Sequence, residues 1–347
     1  MDHVIRIGLD TSKRIFQLHG VDAAERPVLR RKLGRAAMEA FFARLAPTLV
    51  AMEACGASHH WARKLSAMGH EVRLIAPQLA KPYVKRGKTD AGDAEAICEA
   101  VSRPTMRFVA VKTAEQQAAA MVLKTRDLLM RRRNQSINAL RAHLSELGIV
   151  SGTGVSRVAG LIGIVRDDED TRLPLVARQA LTDLADHIEA LNERLHRLDR
   201  EIVVQARQDA DLRRLTAVPG IGPISAASLK ALVPDPSGFV SGRHFAAWLG
   251  LTPRAHSTGG KERLGRISKM GNPTLRTLLI LGATTVLRHA RNGGNASPWL
   301  QAILSRRPAK VAAVALANKM ARIVWALLTK GSHYRDPGLV ASGAVGA

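Results

Sequence analysis

Cysteine is nearly absent from this sequence, with Cys55 and Cys98 the two thiols in 347 residues. Their positions lack the paired spacing of a metal site, and a chain of this length does not hold its core with a disulfide framework. A reducing compartment follows, with both thiols expected as small buried apolar groups. Long apolar stretches are missing too: no run of about 18 apolar residues occurs, and the N-terminus begins on a strand pattern without the apolar stretch of a signal peptide. A soluble, cytoplasmic protein without a membrane partner is expected. Acids are the third shortage. Against 52 Lys and Arg stand 29 Asp and Glu, a net charge of +23, while the hydrophobic share of 46% and charged share of 23% are those of ordinary globular proteins. The length allows two or more domains, and the charge points to a polyanionic partner.

With acids so few, their placement is informative. Val4 to Leu9 alternate as a strand that ends on Asp10. Residues 14–21 and 26–33 read as a second and third strand, an antiparallel meander. A helical stretch at 35–46 leads into Thr48-Leu49-Val50-Ala51-Met52-Glu53, a strand that again ends on an acid, and a helix at 57–68 precedes a strand at 70–75. Such a pattern predicts a mixed α/β sheet with helices on its faces, in which the tips of neighbouring strands bring Asp10 and Glu53 together. In Lys88-Thr89-Asp90-Ala91-Gly92-Asp93, Thr89 or Asp90 can cap a helix, and Asp90 and Asp93 share one face of its first turn. Like charges at that spacing repel unless a cation lies between them, and Mg²⁺ or Mn²⁺ prefers such oxygen donors. The alternative is a pair of aspartates that merely cap a surface helix.

The middle of the chain is basic. Residues 113–147 form a long helix-permissive run whose Arg131, Arg132 and Arg133 suit phosphate contact without sequence readout. Around 148–172 the chain turns Gly- and Ser-rich, and a boundary or flexible loop is expected somewhere there. Leu181, Leu184, Ile188, Leu191, Leu195, Leu198 and Ile202 then alternate steps of three and four. This narrow apolar seam either folds onto the basic helix or pairs with its counterpart in another subunit, the second being preferred.

Further on, Val218-Pro219-Gly220-Ile221-Gly222-Pro223 carries the hairpin of a helix-hairpin-helix unit, its Gly220 and Gly222 letting backbone amides approach a phosphate. Residues 239–254 read as a capped amphipathic helix. The loop beyond is polar and basic, with Ser257 among small neighbours and near Arg254, Lys261, Arg263, Arg266 and Lys269. Those surroundings suit either an exposed hydroxyl nucleophile with cations to stabilise phosphate charge, or a phosphate-contacting loop without chemistry. Residues 309–329 form an Ala-rich amphipathic helix.

Met-Glu-Ala at 52–54, Ala-Pro at 76–77, Lys-Thr-Asp-Ala-Gly-Asp-Ala at 88–94, Leu-Gly-Leu-Thr-Pro-Arg at 249–254, His-Ser-Thr-Gly-Gly-Lys at 256–261, Gly-Arg-Ile-Ser-Lys at 265–269 and Leu-Arg at 275–276 occur in an order that resembles the DEDD transposases of bacterial insertion sequences, over nearly the whole chain. The resemblance implies a ribonuclease H-like, resolvase-like domain at 1–110, a basic helix and coiled-coil linker at 111–212, a mainly helical C-terminal transposase domain at 213–334 and a disordered tail at 335–347. It implies that Asp10, Glu53, Asp90 and Asp93 hold Mg²⁺ (or Mn²⁺) and that a serine in the basic loop links covalently to DNA. Ser257 matches best, with Thr258 standing where some members carry glycine. It further implies a structured guide RNA, a dimer or tetramer, and nucleoid association during action. The function expected is a DNA transposase or recombinase in which Ser257 attacks a phosphate also held by the acids, Asp10 and Ser257 meeting there from different domains. A metal-dependent nuclease or Holliday-junction resolvase with the four acids alone catalytic is the main rival, and a non-catalytic nucleic-acid-binding protein or RNA chaperone the second.

Overall fold

Alternation along the first strands decides which side chains each face of the sheet buries. In a computed structural model of the chain the described residues are 3–335, apart from Arg86, Lys88 and the side chain of Glu262. Lys88 of the acid-bearing motif and, but for Arg335, the tail expected at 335–347 lie outside the described residues. The described residues fall into two units that divide after Gln117.

The first unit carries β1 (Arg6–Thr11), β2 (Ile15–Val21), β3 (Pro27–Gly34), α1 (Ala37–Phe42), β4 (Leu49–Glu53), α2 (Ser58–Ala67), β5 (Glu71–Ile75), α3 (Pro77–Ala80), α4 (Asp90–Ala100) and the two-residue β6 (Phe108–Val109). The strands form one sheet in the order β3-β2-β1-β4-β5-β6. β1, β2 and β3 make the expected antiparallel meander, β4 and β5 run parallel to β1, and β6 closes the edge antiparallel. Ile7, Leu9, Phe16, Leu18, Val50 and Met52 point to one face, where α1 and α2 bring Met38, Phe42, Trp61 and Leu65. Each such side chain contributes roughly 1.5–3 kcal/mol by leaving water. The opposite face is covered by α4 through Ile97 and Ala100, packed on Ala51 and Ile75. The buried His70 ties a strand start to a helix end, its Nδ1 accepting from the Thr48 amide at 3.2 Å and its Nε2 lying 3.0 Å from the Phe42 carbonyl.

In the second unit, α5 (Ala114–Glu146), α6 (Val158–Arg166) and α7 (Leu175–Gln208) share a core. Within 148–172, Val158, Leu161, Ile162 and Val165 recur at helical spacing and build α6, which packs into this core, with irregular chain on either side of it. One expectation is corrected here. The heptad seam is buried within the chain, not left for a second subunit. Leu181, Ala185 and Ile188 of α7 pack with Ile137, Leu140 and Leu144 of α5, and the two helices run antiparallel, with Arg126 bonded to Asp199 and Arg133 reaching Asn192 at 3.4 Å. The physical reason is that α5 offers its own apolar seam, closer at hand than any partner's.

The remainder comprises α8 (Ala210–Thr216), α9 (Pro223–Leu232), α10 (Gly242–Trp248), the hairpin β7 (Pro253–Thr258) and β8 (Lys261–Ile267), α11 (Pro273–Arg291), α12 (Pro298–Leu304) and α13 (Ala309–Lys330). α13 is the axis: its buried Ala317, Met320, Ala321 and Val324 join Phe245 and Ala246 of α10 and Leu275, Leu279 and Ala283 of α11. By length and composition α13 could cross a membrane, with a mean hydropathy of 1.6 in its most apolar window. Lys319 and Arg322 interrupt it, and it packs as a core helix. The basic loop expected at 256–269 is instead mostly a two-stranded ribbon. Gly259 and Gly260, at φ 57° and 77°, make its two-residue turn, the left-handed pair that hairpins of this length require. Its strands are mostly polar, with Ala255, Leu264 and Ile267 too sparse to form an apolar alternation that announces them.

Candidate active site

Three elements bring the four acids towards one place. β1 and β4 pair in parallel register from Arg6↔Leu49 to Leu9↔Met52, so Asp10 and Glu53 are the next residue on each of two adjacent strands. The strand tips are tied beyond them: the Thr11 hydroxyl and the Cys55 thiol lie 3.1 Å apart. Cys55 is therefore half-buried and hydrogen-bonded rather than an inert apolar group, whereas Cys98 is buried as expected. The third element is α4. Thr89 caps it, its hydroxyl accepting from the Gly92 amide at 3.1 Å, and Asp90 and Asp93 occupy its first turn.

Gly8 sets how closely α4 approaches β1. A Cβ on Gly8 would stand 2.1 Å from the Ala94 carbonyl oxygen and 2.5 Å from the Cys98 amide, so only glycine admits this packing. The acids consequently share an electrostatic field. The Asp10 carboxyl is pushed up to about 6, first by burial and then by the negative charges of Asp90, Asp93 and Glu53. Among the described residues, however, no three His, Cys, Asp or Glu side chains stand as a group that could hold a metal ion. The two observations agree, because charges act over several ångströms while a cation needs oxygens at about 2.0–2.6 Å. The donor set fits a hard divalent cation in type, being all carboxylate; side-chain closure would complete the geometry.

Ser257 sits on β7, exposed, opposite Glu262 in the register of the ribbon. Among the described residues its hydroxyl has no hydrogen-bond partner and no adjacent base. Residues directly opposite in an antiparallel pair share a face, so Arg263 and Lys261, paired with His256 and Thr258, lie on the other face from Ser257. The expected ring of cations around the serine thus divides between two faces. Arg254 donates to the Ser268 carbonyl at 3.1 Å, bracing the ribbon's base, and Lys269 adopts a left-handed φ of 56°.

The other basic candidates also sort by structure. Arg131 and Arg132 are exposed, while Arg133 turns towards Asn192 of α7. Gly220, at φ 86°, packs against α11, where a Cβ on Gly282 would be 1.9 Å from its carbonyl oxygen, so this close approach of the two backbones requires glycine. Gly222, at the start of α9, has open space around it. Thr11, Gly8 and Arg276 were not singled out by spacing: a hydroxyl after the strand-tip acid is a weak signal, and Arg276, which donates to the Leu249 and Met270 carbonyls, acts through tertiary contacts alone.

Comparison with known proteins adds a family. Residues 212–298 match the family model described as the transposase IS116/IS110/IS902 family, and residues 7–149 match the DEDD transposase domain of IS110-type elements. The chain is 53% identical over 332 residues to a "Probable family 20 transposase" of Pseudomonas aeruginosa, covering 95% of this chain and 98% of that protein. It is 52% identical over 345 residues to the y4pF/y4sB protein of Sinorhizobium fredii, covering 97% and 87%. To the transposase for insertion sequence element IS1111A of Coxiella burnetii it is 41% identical over 330 residues, covering 95% and 91%.

Proposed function

Because the chain belongs to the IS116/IS110/IS902 family of transposases, enzymes that cleave and transfer DNA strands, we propose that it mobilises an insertion sequence using two groups of residues, the four acids and Ser257. The observation that carries this reading is the convergence of Asp10 and Glu53 on adjacent parallel strands, with α4 closed against β1 over Gly8.

In this reading the first domain, at 1–110, is ribonuclease H-like, and Asp10, Glu53, Asp90 and Asp93 hold Mg²⁺ or Mn²⁺. When bound, the metal supplies Lewis-acid stabilisation of phosphate charge. The protein's own part is to hold the carboxylates so that oxygens from two strand tips and one helix face the backbone. The Ser257 oxygen attacks phosphorus. One P–O bond to the serine forms as one backbone P–O bond breaks, and the departing oxygen takes up a proton. The region at 111–212 links this domain to a C-terminal transposase domain at 213–334, where α8, the turn at Gly220 and Gly222, and α9 act as a helix-hairpin-helix. Arg131, Arg132, Arg254, Lys261, Arg263, Arg266 and Lys269 contact DNA phosphates. A structured RNA guides target choice, and the protein works in the cytoplasm, at the nucleoid, as a dimer or tetramer whose contacts lie elsewhere than the α7 seam.

One observation favours a second reading. Lys261 and Arg263, paired with Thr258 and His256, face away from Ser257, as would suit a nuclease or junction resolvase in which the acids do all the chemistry. Cleavage of a labelled element end separates the two. Ser257→Ala is expected to abolish both cleavage and the covalent protein–DNA adduct, while Asp10→Ala also abolishes cleavage. Retained cleavage in Ser257→Ala with loss in Asp10→Ala would sink the nucleophilic serine.

A further inference from the structure

A large open groove runs beside the hairpin in the second unit. Its volume is about 1630 Å³, beyond the roughly 300–1,000 Å³ of a small-molecule pocket. The first turn of α10, the base of the β7–β8 ribbon and one long face of α13 form its walls, and Trp299 of α12 stands at its edge. Two properties occur together there. Its cations are Arg243, Arg266, Lys269, Lys310, Lys319 and Arg322, and no Asp or Glu lies among its described lining residues. Among the described residues none of these six cations is paired with an acid; Lys319 instead places its Nζ 4.4 Å from the centre of the Trp299 ring. Between the cations the floor is apolar, with Val311, Val314 and Ile323. Val311 remains 50% exposed and Trp299 37% exposed, so this apolar surface is left uncovered.

Six unpaired positive charges call for a polyanion, and the apolar floor says which kind. A duplex presents phosphates outward and keeps its bases stacked inside, so it gains from the cations and nothing from the valines. A single strand presents both phosphates and unstacked base faces, which aromatic and apolar side chains cover at about 1–3 kcal/mol per stacked base. We infer that this groove binds single-stranded DNA, with the phosphates along Lys310, Lys319 and Arg322 and a base on Trp299. DNA rather than RNA is the strand inferred because enzymes of this family cleave and transfer DNA; on the wall, Asn318 donates to the Leu251 carbonyl at 3.2 Å and the Ser241 hydroxyl accepts from the His244 amide at 3.3 Å. The ribbon that bears Ser257 forms one lip of the groove through Pro253, Gly265 and Arg266. A strand unpaired beside the cut point would therefore have a surface to lie on.

The inference rests on the transposase reading only for the origin of the strand; its test measures binding, and so stands or falls apart from Ser257 chemistry. Labelled 12-nucleotide single-stranded DNA, the same sequence as RNA, and the corresponding duplex are titrated by fluorescence anisotropy into the full-length protein. Trp299→Ala should weaken single-stranded DNA binding about 5- to 100-fold while leaving duplex binding within about twofold, and Trp299→Phe should restore most of it. Lys310→Glu, at an exposed position, should act in the same direction without touching the core, and keeps the test open should Trp299→Ala fold poorly. Equal losses on single strand and duplex, unchanged single-strand affinity in both variants, or RNA bound as tightly as DNA would each overturn it.

Discussion

The backbones of Gly8 and Ala94 approach so closely that any Cβ on Gly8 would fall 2.1 Å from the Ala94 carbonyl oxygen. The missing methyl group is what lets the helix bearing Asp90 and Asp93 lie on the strand bearing Asp10. Gly8→Ala must push α4 away from β1 or distort it, at about 1–3 kcal/mol for an overpacked core. The expected outcome is a lower Tm, and Mn²⁺, expected to raise the Tm of the wild-type protein, should raise that of the variant less. Gly34→Ala, where a Cβ meets nothing within 4 Å, serves as the control. A Gly8→Ala protein with full Mn²⁺ stabilisation would show that α4 does not have to sit where it does for the acids to bind metal.

Asp10 gives the metal-free protein a pH signature. Its carboxyl ionises at about 6 when folded, against 3.8 without the fold, so the folded state binds the proton more tightly. Its contribution is full below about pH 4 and is lost as pH rises through about 6. Because the group is half exposed, solvent screening holds the effect to about 1 kcal/mol. Other carboxylates, such as Asp22 beside Arg26 and Asp209 beside Lys230, are shifted down and act with the opposite sign, so the informative quantity is a difference. Asp10→Asn should match wild-type stability near pH 4 and exceed it by about 2–4 °C in Tm at pH 7 without metal. A constant difference across that range would mean that neither burial nor the other three acids raise the Asp10 carboxyl.

The first sheet was legible because its signals are local. Alternation marks the meander, and a short apolar strand ending in Glu53 announces the parallel pair. The acids were legible for the same reason, each standing at the end of an element whose direction the sequence sets. What escaped depends on contacts distant in the chain. Nothing near Gly220 shows that Gly282 of α11 will press against it, and Arg133 reads as a DNA contact until α7 supplies Asn192. The ribbon at 253–267 was hidden because its few apolar residues, such as the paired Ala255 and Leu264, do not alternate along either strand, which left the two-residue Gly259-Gly260 turn as the main cue. The α7 seam was visible in full; which surface it meets is a property of α5, not of the seam.

That seam makes a prediction of its own. Ile188 is fully buried against α5 residues, so Ile188→Ala should cost about 2–5 kcal/mol through the lost side chain and the cavity left behind. Subunit number, measured by light scattering after gel filtration, should stay unchanged, because the seam is already satisfied within the chain. A change in subunit number without loss of stability would return the seam to an intermolecular role.

The charge excess predicts how DNA affinity responds to salt, and the structure predicts which arginines carry it. A protein that neutralises about six phosphates loses roughly 10³-fold in affinity between about 50 and 200 mM salt, and each removed phosphate contact lowers the log–log slope by about one. Arg131 and Arg132 are exposed on α5, whereas Arg133 is directed at Asn192. Arg131→Ala and Arg132→Ala together should therefore reduce the slope by about two, and Arg133→Ala should leave it unchanged while lowering Tm through the loosened α5–α7 pair. A flat salt response in the wild-type protein would contradict the reading of the +23 charge. An equal drop in slope for Arg133→Ala would show that its guanidinium leaves α7 to meet the phosphate.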